Sequence, residues 1–166
     1  TSYTHDNFGQ TISSTTAGAT STITWNNGGQ PATFTDPLDN VTRFEYDSYG
    51  NLTAVTDASG NRSEYTYDEF GNRLTTKDPL GNITSFSYDA DGRILGVDYP
   101  AGTPDVAYSY DAAGNLTTMA DGLGATSYTY DALGRLRERA RDGRTVGYCY
   151  DANSQTAQID YWGTGT

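Results

Sequence analysis

Carboxylates are the most abundant side chains of this sequence that could act in catalysis or bind a metal ion. Of its 21 acidic residues, 17 are Asp, and paired carboxylates can act as general acid and base or bind a metal ion. Six of them occupy one place in a recurring pattern, whereas a catalytic residue has no need to recur. We expect them to stabilise turns, because Asp accepts hydrogen bonds from turn N–H groups; they are Asp47, Asp68, Asp89, Asp111, Asp131 and Asp151.

Histidine and cysteine, which could serve as a general base, a thiol nucleophile or soft metal ligands, are scarce. His5 is the one histidine and Cys149 the one cysteine, so the chain holds neither a Ser-His-Asp nor a Cys-His constellation, and zinc-ligand spacing is absent. The run Asp89-Ala90-Asp91-Gly92 resembles the start of an EF-hand loop, but the downstream Glu and the flanking helices are missing. We therefore predict no enzymatic activity and no cofactor, with His5 as a substituted strand residue and Cys149 at an inert packing position.

The elements that position the Asp residues follow from an internal repeat. Eight pairs recur, six of them Tyr-Asp and two degenerate (His5-Asp6 and Trp25-Asn26), at intervals of 20, 21, 21, 21, 22, 20 and 20 residues. Three residues after the pair stands Gly, except at Ser154, and two residues before its aromatic member stands a bulky apolar residue. The repeat residues are Tyr46, Asp47, Gly50, Tyr67, Asp68, Gly71, Tyr88, Asp89, Gly92, Tyr110, Asp111, Gly114, Tyr130, Asp131, Gly134, Tyr150 and Asp151.

The consensus aromatic-x-Tyr-Asp-x-x-Gly predicts a strand that runs into a tight turn. Aromatic residues at i and i+2 project from one face of a strand, and Asp and Gly suit the first and fourth positions of a β-turn that closes a bulged hairpin. A second series of bends with the same chemistry lies about ten residues after the Tyr-Asp turns. Its members are Asp36-Pro37-Leu38-Asp39, Asp57-Ala58-Ser59-Gly60, Asp78-Pro79-Leu80-Gly81 and Asp121-Gly122-Leu123-Gly124. A longer loop over 97–105 takes the place of one member.

Each unit is then one β-hairpin. We predict an all-β fold in which residues 1–166 form a single array of about eight hairpin units of about 21 residues. About sixteen antiparallel strands follow one another in a long strip, which should curl because twisted sheets of more than ~10 strands do so. We predict essentially no helix.

Charge and hydropathy restrict the partners. A formal charge of −11 argues against nucleic acid, whose phosphates need a basic face, and no apolar stretch is long enough to insert into a membrane. Four arginines in Arg135-Leu136-Arg137-Glu138-Arg139-Ala140-Arg141, with Arg144 nearby, are expected on one strand face. We expect this face to be solvated and paired with acidic side chains, or else to meet an acidic patch or an anionic glycan. Open sheet edges predict self-association.

Two segments resemble the Rhs or YD repeat family. Tyr67-Asp68-Glu69-Phe70-Gly71-Asn72-Arg73-Leu74 with Asp78-Pro79-Leu80-Gly81-Asn82 is similar to a complete unit, and Tyr130-Asp131-Ala132-Leu133-Gly134-Arg135-Leu136 is similar to its core. The family includes bacterial Rhs polymorphic toxins, wall-associated proteins, the C subunits of Tc toxins and teneurins. The resemblance implies an arc of a β-sheet shell that in toxin members encloses a toxic domain.

Two functions of different class are open at this stage. The first is a structural shell segment in a large secreted or cell-surface protein, where it meets other parts of its own parent chain and encapsulates or presents a toxin domain. The second is a carbohydrate-binding or cell-adhesion module with a glycan or cell-surface partner, since aromatic rows suit sugar stacking. Buried Tyr rings favour the first function, because a binding face must leave its rings accessible.

Overall fold

A computed structural model describes residues 1–163 of the chain. In this range sixteen strands form one antiparallel sheet, and each strand pairs with its neighbours in sequence. This order confirms the predicted all-β meander, and residues 1–163 contain no helix. No candidate for a membrane-crossing helix therefore occurs among them.

Contacts divide the chain into two units, Thr1–Thr84 and Ser85–Thr166. That residues 1–166 form a single array stays a prediction. The first unit contains β1 (Ser2–His5), β2 (Thr11–Thr16), β3 (Ala19–Trp25), β4 (Pro31–Thr35), β5 (Val41–Tyr46), β6 (Leu52–Thr56), β7 (Arg62–Tyr67) and β8 (Arg73–Lys77). The second contains most of β9 (Ile83–Tyr88), then β10 (Ile94–Asp98), β11 (Val106–Tyr110), β12 (Leu116–Asp121), β13 (Gly124–Tyr130), β14 (Leu136–Arg141), β15 (Arg144–Tyr150) and β16 (Thr156–Gly163).

The first unit has two chemically different faces, because side chains alternate along each strand. On one face, which we call its aromatic face, Phe44 lies opposite Val55 and Tyr65 opposite Thr76. The other face is polar. Thr24 lies opposite Thr33, and their hydroxyls are hydrogen-bonded at 2.7 Å. Glu64 lies opposite Lys77, and their charged atoms are 2.8 Å apart.

The second unit repeats this division. Its aromatic face pairs Tyr108 with Met119 and Tyr128 with Arg139, and its polar face pairs Cys149 with Gln158. Cys149 is exposed, so the predicted packing position is wrong. It lies between Tyr148 and Tyr150, and alternation therefore turns it away from the aromatic face.

Few side chains are removed from solvent. Ala54 and Thr126 are 0% exposed and Val97 is 7% exposed, whereas the Tyr residues of the Tyr-Asp pairs are half-buried. Each unit is therefore held together by one layer of partly exposed rings together with the backbone ladder.

The second series of bends takes two forms. Asp36, Asp57 and Asp78 begin loops closed by a hydrogen bond from the N–H three residues later to the Asp carbonyl. The predicted turn Asp121-Gly122-Leu123-Gly124 is also present, but here Asp121 and Gly124 belong to the strands and pair with each other across a two-residue loop. Two further two-residue loops are Ala17-Gly18 and Asp142-Gly143.

The predicted irregular loop connects β10 and β11. It runs over 99–105, where the Asp105 carboxylate accepts a hydrogen bond from the Tyr99 N–H at 2.9 Å. Pro104 packs so closely on Gly122 that a Cβ on that glycine would lie 2.2 Å from the proline ring. The insertion is thus fixed against the neighbouring bend.

Candidate functional site

The predicted repeat residues meet in the Tyr-Asp turns, and the turn between β7 and β8 shows the geometry that these turns share. Asp68 Oδ1 accepts hydrogen bonds from the N–H groups of Phe70 at 2.9 Å and Asn72 at 2.8 Å. Asp68 Oδ2 accepts one from Asn72 Nδ2 at 2.9 Å. The Asn72 carbonyl accepts the Asp68 N–H at 3.0 Å, and the Asp68 carbonyl accepts the Gly71 N–H at 3.2 Å. We call this five-residue arrangement a clamped turn.

The clamped turn recurs with small changes in its fifth residue. Asn51 and Asn115 reproduce the amide contact to Asp47 and Asp111, each at 3.0 Å. Arginine replaces the amide in two turns, where Arg93 Nε and Arg135 Nε donate to the carboxylates at 2.7 Å. The bends that begin at Asp36, Asp57 and Asp78 use the same contacts, with Asn40, Asn61 and Asn82 in fifth place.

These hydrogen bonds favour the ionised carboxylate. The amide of Asn72 is the largest cause that holds the pKa of Asp68 below its ordinary value of 3.8, and backbone N–H groups add to it. The Arg135 side chain has this effect on the pKa of Asp131, whereas the backbone N–H of Arg93 is the largest cause for Asp89. The carboxylates are therefore held as anions that accept hydrogen bonds, which is the opposite of what a general acid needs.

The glycines supply the backbone conformation that closes each turn. Gly71 has φ +86°, in the left-handed region where side chains with a Cβ are strained. Ser154 takes the same place with φ +62°. The other predicted repeat glycines also have positive φ and are Gly50, Gly92, Gly114 and Gly134.

The tyrosines of the pairs connect successive repeats. Tyr67 donates its hydroxyl to the carbonyl of Leu52 at 2.8 Å, although these residues are 15 positions apart. In the same way Tyr110, Tyr130 and Tyr150 donate to Ile94, Leu116 and Leu136 at 3.0, 2.9 and 2.8 Å. Burial is the largest cause that raises the pKa of Tyr130. Tyr46 and Tyr88 are also half-buried at their strand ends.

The fifth residue of the turn also reaches the following repeat. The Arg93 guanidinium lies over the Tyr110 ring at 4.9 Å, and that of Arg135 lies over the Tyr150 ring at 4.5 Å. In the first unit the Gln30 amide donates to the carbonyl of Gly50 in the next turn at 2.8 Å. Sequence reasoning missed this position, although the recurrence of Asn, Gln or Arg after Gly was a readable signal.

The arginine run does not form one uniform strand face. Arg135 precedes β14 and holds Asp131, so the expectation of four arginines on one strand face is wrong for this residue. Arg141 binds both carboxylate oxygens of Asp121, at 2.7 and 3.1 Å. Arg135 belongs to a turn and not to the strand, and a bulge between Thr129 and Tyr130 interrupts the regular alternation of side chains between the two faces of the sheet.

The chemistry of the turns is that of a satisfied backbone. Among residues 1–163 no buried side-chain nitrogen or oxygen lacks a hydrogen-bond partner. No group of three or more His, Cys, Asp or Glu side chains in this range is placed to hold a metal ion. His5 lies at the end of β1, opposite Thr11. The geometry therefore supports turn closure and attachment of one repeat to the next.

Comparison with solved structures agrees with the fold. A structure described as TcdB2-TccC3 superimposes with a TM-score of 0.77 at 19% identity, over 96% of this chain and 11% of that one. The TcdB2-TccC3-Cdc42 structure has a TM-score of 0.75 at 22% identity, over 88% of this chain and 9% of that one. The Photorhabdus luminescens Tc holotoxin pore has a TM-score of 0.72 at 22% identity, over 88% of this chain and 9% of that one. This chain thus spans about a tenth of the chains that it matches. No curated protein matches it.

The family comparison covers most of the sequence. The sequence model described as RHS Repeat matches residues 25–62, 46–83, 67–104 and 110–145. All four matches begin at the aromatic residue of a pair: Trp25, Tyr46, Tyr67 and Tyr110. This chain belongs to the RHS repeat family.

Proposed function

We propose that this chain is a wall segment of an Rhs shell in a large secreted or cell-surface protein, and that the shell encapsulates or presents a toxin domain. The observation that carries the proposal is that the recurring residues join the repeats: a clamped turn closes its own hairpin, four of the paired Tyr hydroxyls bind the preceding repeat, and fifth residues such as Arg93 and Arg135 contact the following one. A structure built from such units extends by repetition. We further propose that the segment has no catalytic role.

The composition supports a wall in contact with water on its polar face. In the first unit Arg62 donates to Glu45 at 2.8 Å and Lys77 to Glu64 at 2.8 Å. These pairs are 40–55% exposed, so they add little stability, but they keep an extended sheet charged and soluble. The aromatic face would then turn towards the other parts of the parent chain, which are its proposed partners.

Encapsulation is tested by protease protection in the parent protein. A double substitution, Asp68→Ala with Asn72→Ala, removes the clamp from one turn, whereas Glu69→Ala changes an exposed residue of the same turn and is the control. We expect the wild-type protein and the control to protect the chain beyond the repeats, and the double variant to expose it at lower protease concentration. Equal cleavage of that region in folded wild type and in a parent protein without the repeats would refute encapsulation.

A carbohydrate-binding or cell-adhesion module is the second candidate. A cleft of about 950 Å³ in the first unit is lined by Phe8, which is 90% exposed, together with Trp25 and Asn27. An aromatic ring beside an amide suits a sugar. Binding of the 166-residue chain to a glycan array, lost on Phe8→Ala, would favour this function. The half-burial of the paired Tyr rings and the use of four of their hydroxyls within the sheet favour the wall.

A further inference from the structure

A positively charged cleft lies beside the two-residue loop between β14 and β15. It has a volume of about 470 Å³ and is lined by Arg139, Arg141, Asp142, Arg144 and Val146. Arg139 lies directly opposite Val146, and Arg141 directly opposite Arg144. Residues that face each other across an antiparallel pair lie on the same side of the sheet. The three guanidinium groups therefore emerge from the aromatic face of the second unit.

One of the three arginines is already neutralised. Arg141 is bound by both oxygens of Asp121, and its Nε lies 3.6 Å from Asp142 Oδ2. Its side chain and that of Asp121 are each only 23% exposed. Arg141 is thus a fixed part of the fold whose charge is largely compensated.

The other two arginines have no such compensation. Within residues 1–163 neither Arg139 nor Arg144 takes part in an ion pair or in a side-chain hydrogen bond, and both are exposed. Like charges directly across two strands are unfavourable, yet Arg144 faces Arg141. The chain has a formal charge of −11, but the one acid within residues 1–163 that lines the cleft, Asp142, lies beside Arg141 and forms an ion pair with neither Arg139 nor Arg144.

We propose that Arg139 and Arg144 form an oxyanion-binding site, with the largely compensated Arg141 as a fixed wall beside them and Val146 opposite Arg139. Diagonal neighbours on adjacent strands lie about 7–8 Å apart, within reach of long side chains. Two planar guanidinium groups can therefore converge on one anion and bind its oxygens through charge-assisted hydrogen bonds. The ligand chemistry is that of a phosphate or sulfate group, or of a carboxylate on an acidic polypeptide. This site is independent of the proposed wall function.

The test is an NMR titration of the 166-residue chain at low ionic strength, followed through the arginine Nε–H resonances. The probes are inorganic phosphate, inorganic sulfate and an oligo-aspartate peptide. We expect saturable shifts at Arg139 and Arg144, and a loss of affinity of about tenfold or more in Arg139→Gln with Arg144→Gln, because charge-assisted bonds are lost. Arg137→Gln, an exposed neighbour paired only loosely with Glu138, is the control and should bind as wild type does.

The arms of the titration separate the sources of the anion. Saturation by phosphate or sulfate with no response to the peptide identifies a small oxyanion, and tighter binding of the peptide identifies an acidic polypeptide. Small, parallel shifts of all arginines, without saturation in the millimolar range, would mean ionic screening alone and would overturn the proposal. The single variant Arg144→Gln, at an exposed position next to a loop, provides the same comparison if the double variant is poorly folded.

Discussion

The hydroxyl that four of the paired Tyr residues donate to the preceding repeat offers the sharpest test of how the hairpins are joined. Tyr67→Phe removes an oxygen that lies 2.8 Å from the carbonyl oxygen of Leu52. Leu52 begins β6, where it pairs with Tyr46. The substitution keeps the ring and its position on the aromatic face, so it isolates one bond between two repeats.

The expected cost follows from the type of bond. Removal of one neutral hydrogen bond, with the carbonyl left half-buried, costs about 0.5–1.5 kcal/mol. No cavity is created, because the ring stays. The triple variant in the second unit, Tyr110→Phe with Tyr130→Phe and Tyr150→Phe, should lose about 1.5–4.5 kcal/mol if the separate sites add.

Urea unfolding followed by circular dichroism measures these differences. Tyr49→Phe is the matched control, since its ring is 88% exposed in a turn, and its effect should stay within about 0.5 kcal/mol. The slope against urea should be unchanged, so that only the midpoint moves. If the triple variant were as stable as Tyr49→Phe, the carbonyls would be satisfied equally well by water, and the tyrosine hydroxyls would not join the repeats.

Three further outcomes are expected. Ala17→Asn should raise the free energy of unfolding by about 1 kcal/mol, measured in urea, because Ala17 has φ 52° in a two-residue loop for which Asn-Gly is favoured. Gly147→Ala should lower it by about 1–3 kcal/mol through overpacking and redden the Trp162 emission, since the new Cβ would lie 2.3 Å from that ring. Asn72→Ala should raise the pKa of Asp68 in an NMR pH titration, because it removes the largest cause of the lowered value.

Two of these variants have a control variant, and the third has a result that would contradict the reasoning. Gly163→Ala places its Cβ at an ordinary 3.6 Å from the Arg144 side chain, so a stability loss equal to that of Gly147→Ala would contradict the ring clash. Asp142→Asn alters a loop that already has a favoured Asp-Gly sequence, and should gain less than Ala17→Asn. An unchanged Asp68 titration in Asn72→Ala would show that the backbone N–H groups alone lower its pKa.

The direction of the Asp shifts fixes how the fold responds to acid. The pKa of the clamping carboxylates, such as Asp47, lies below 3.8 in the folded chain, so the unfolded chain takes up protons first as the pH falls. The stability that these residues contribute is present above about pH 4 and is lost as the pH falls through their folded pKa values. Acid titration of the chain should show this loss, and a pH-independent stability down to pH 2 would contradict it.

The phase of the repeat was sufficient to predict strand order and the main bends, since both depend on local chemistry. The second bends show where this reasoning stops. Asp57-Ala58-Ser59-Gly60 and Asp121-Gly122-Leu123-Gly124 have the same pattern, but Asn61 follows the first and Ala125 follows the second. Because the clamp needs an amide or a guanidinium in fifth place, Asp121 does not form it and binds Arg141 instead.

The errors on the strands have a different cause. The partner of Arg135 is a turn residue four positions earlier, and the environment of Cys149 depends on which face of the sheet is aromatic. The sequence-based expectation for both residues followed from residue type alone. Their actual partners and exposure depend on the strand register, which decides the face of the sheet on which each side chain lies. The hydrogen bonds of the Tyr hydroxyls could not be predicted from the sequence either. Their acceptors are backbone carbonyls of the preceding repeat, which no particular side chain marks.

Division of labour within the clamped turn explains how the repeat varies without losing its shape. The first, fourth and fifth residues make the hydrogen bonds, and the third contributes only its N–H, as Phe70 does to Asp68. The second contributes none to the clamp, which is why Pro37 and Pro79 are accepted there. The side chains at the second and third positions are therefore free to change, and large apolar residues such as Phe70 remain 82% exposed. Changes at these two positions therefore alter the surface of the turns and leave the backbone unchanged.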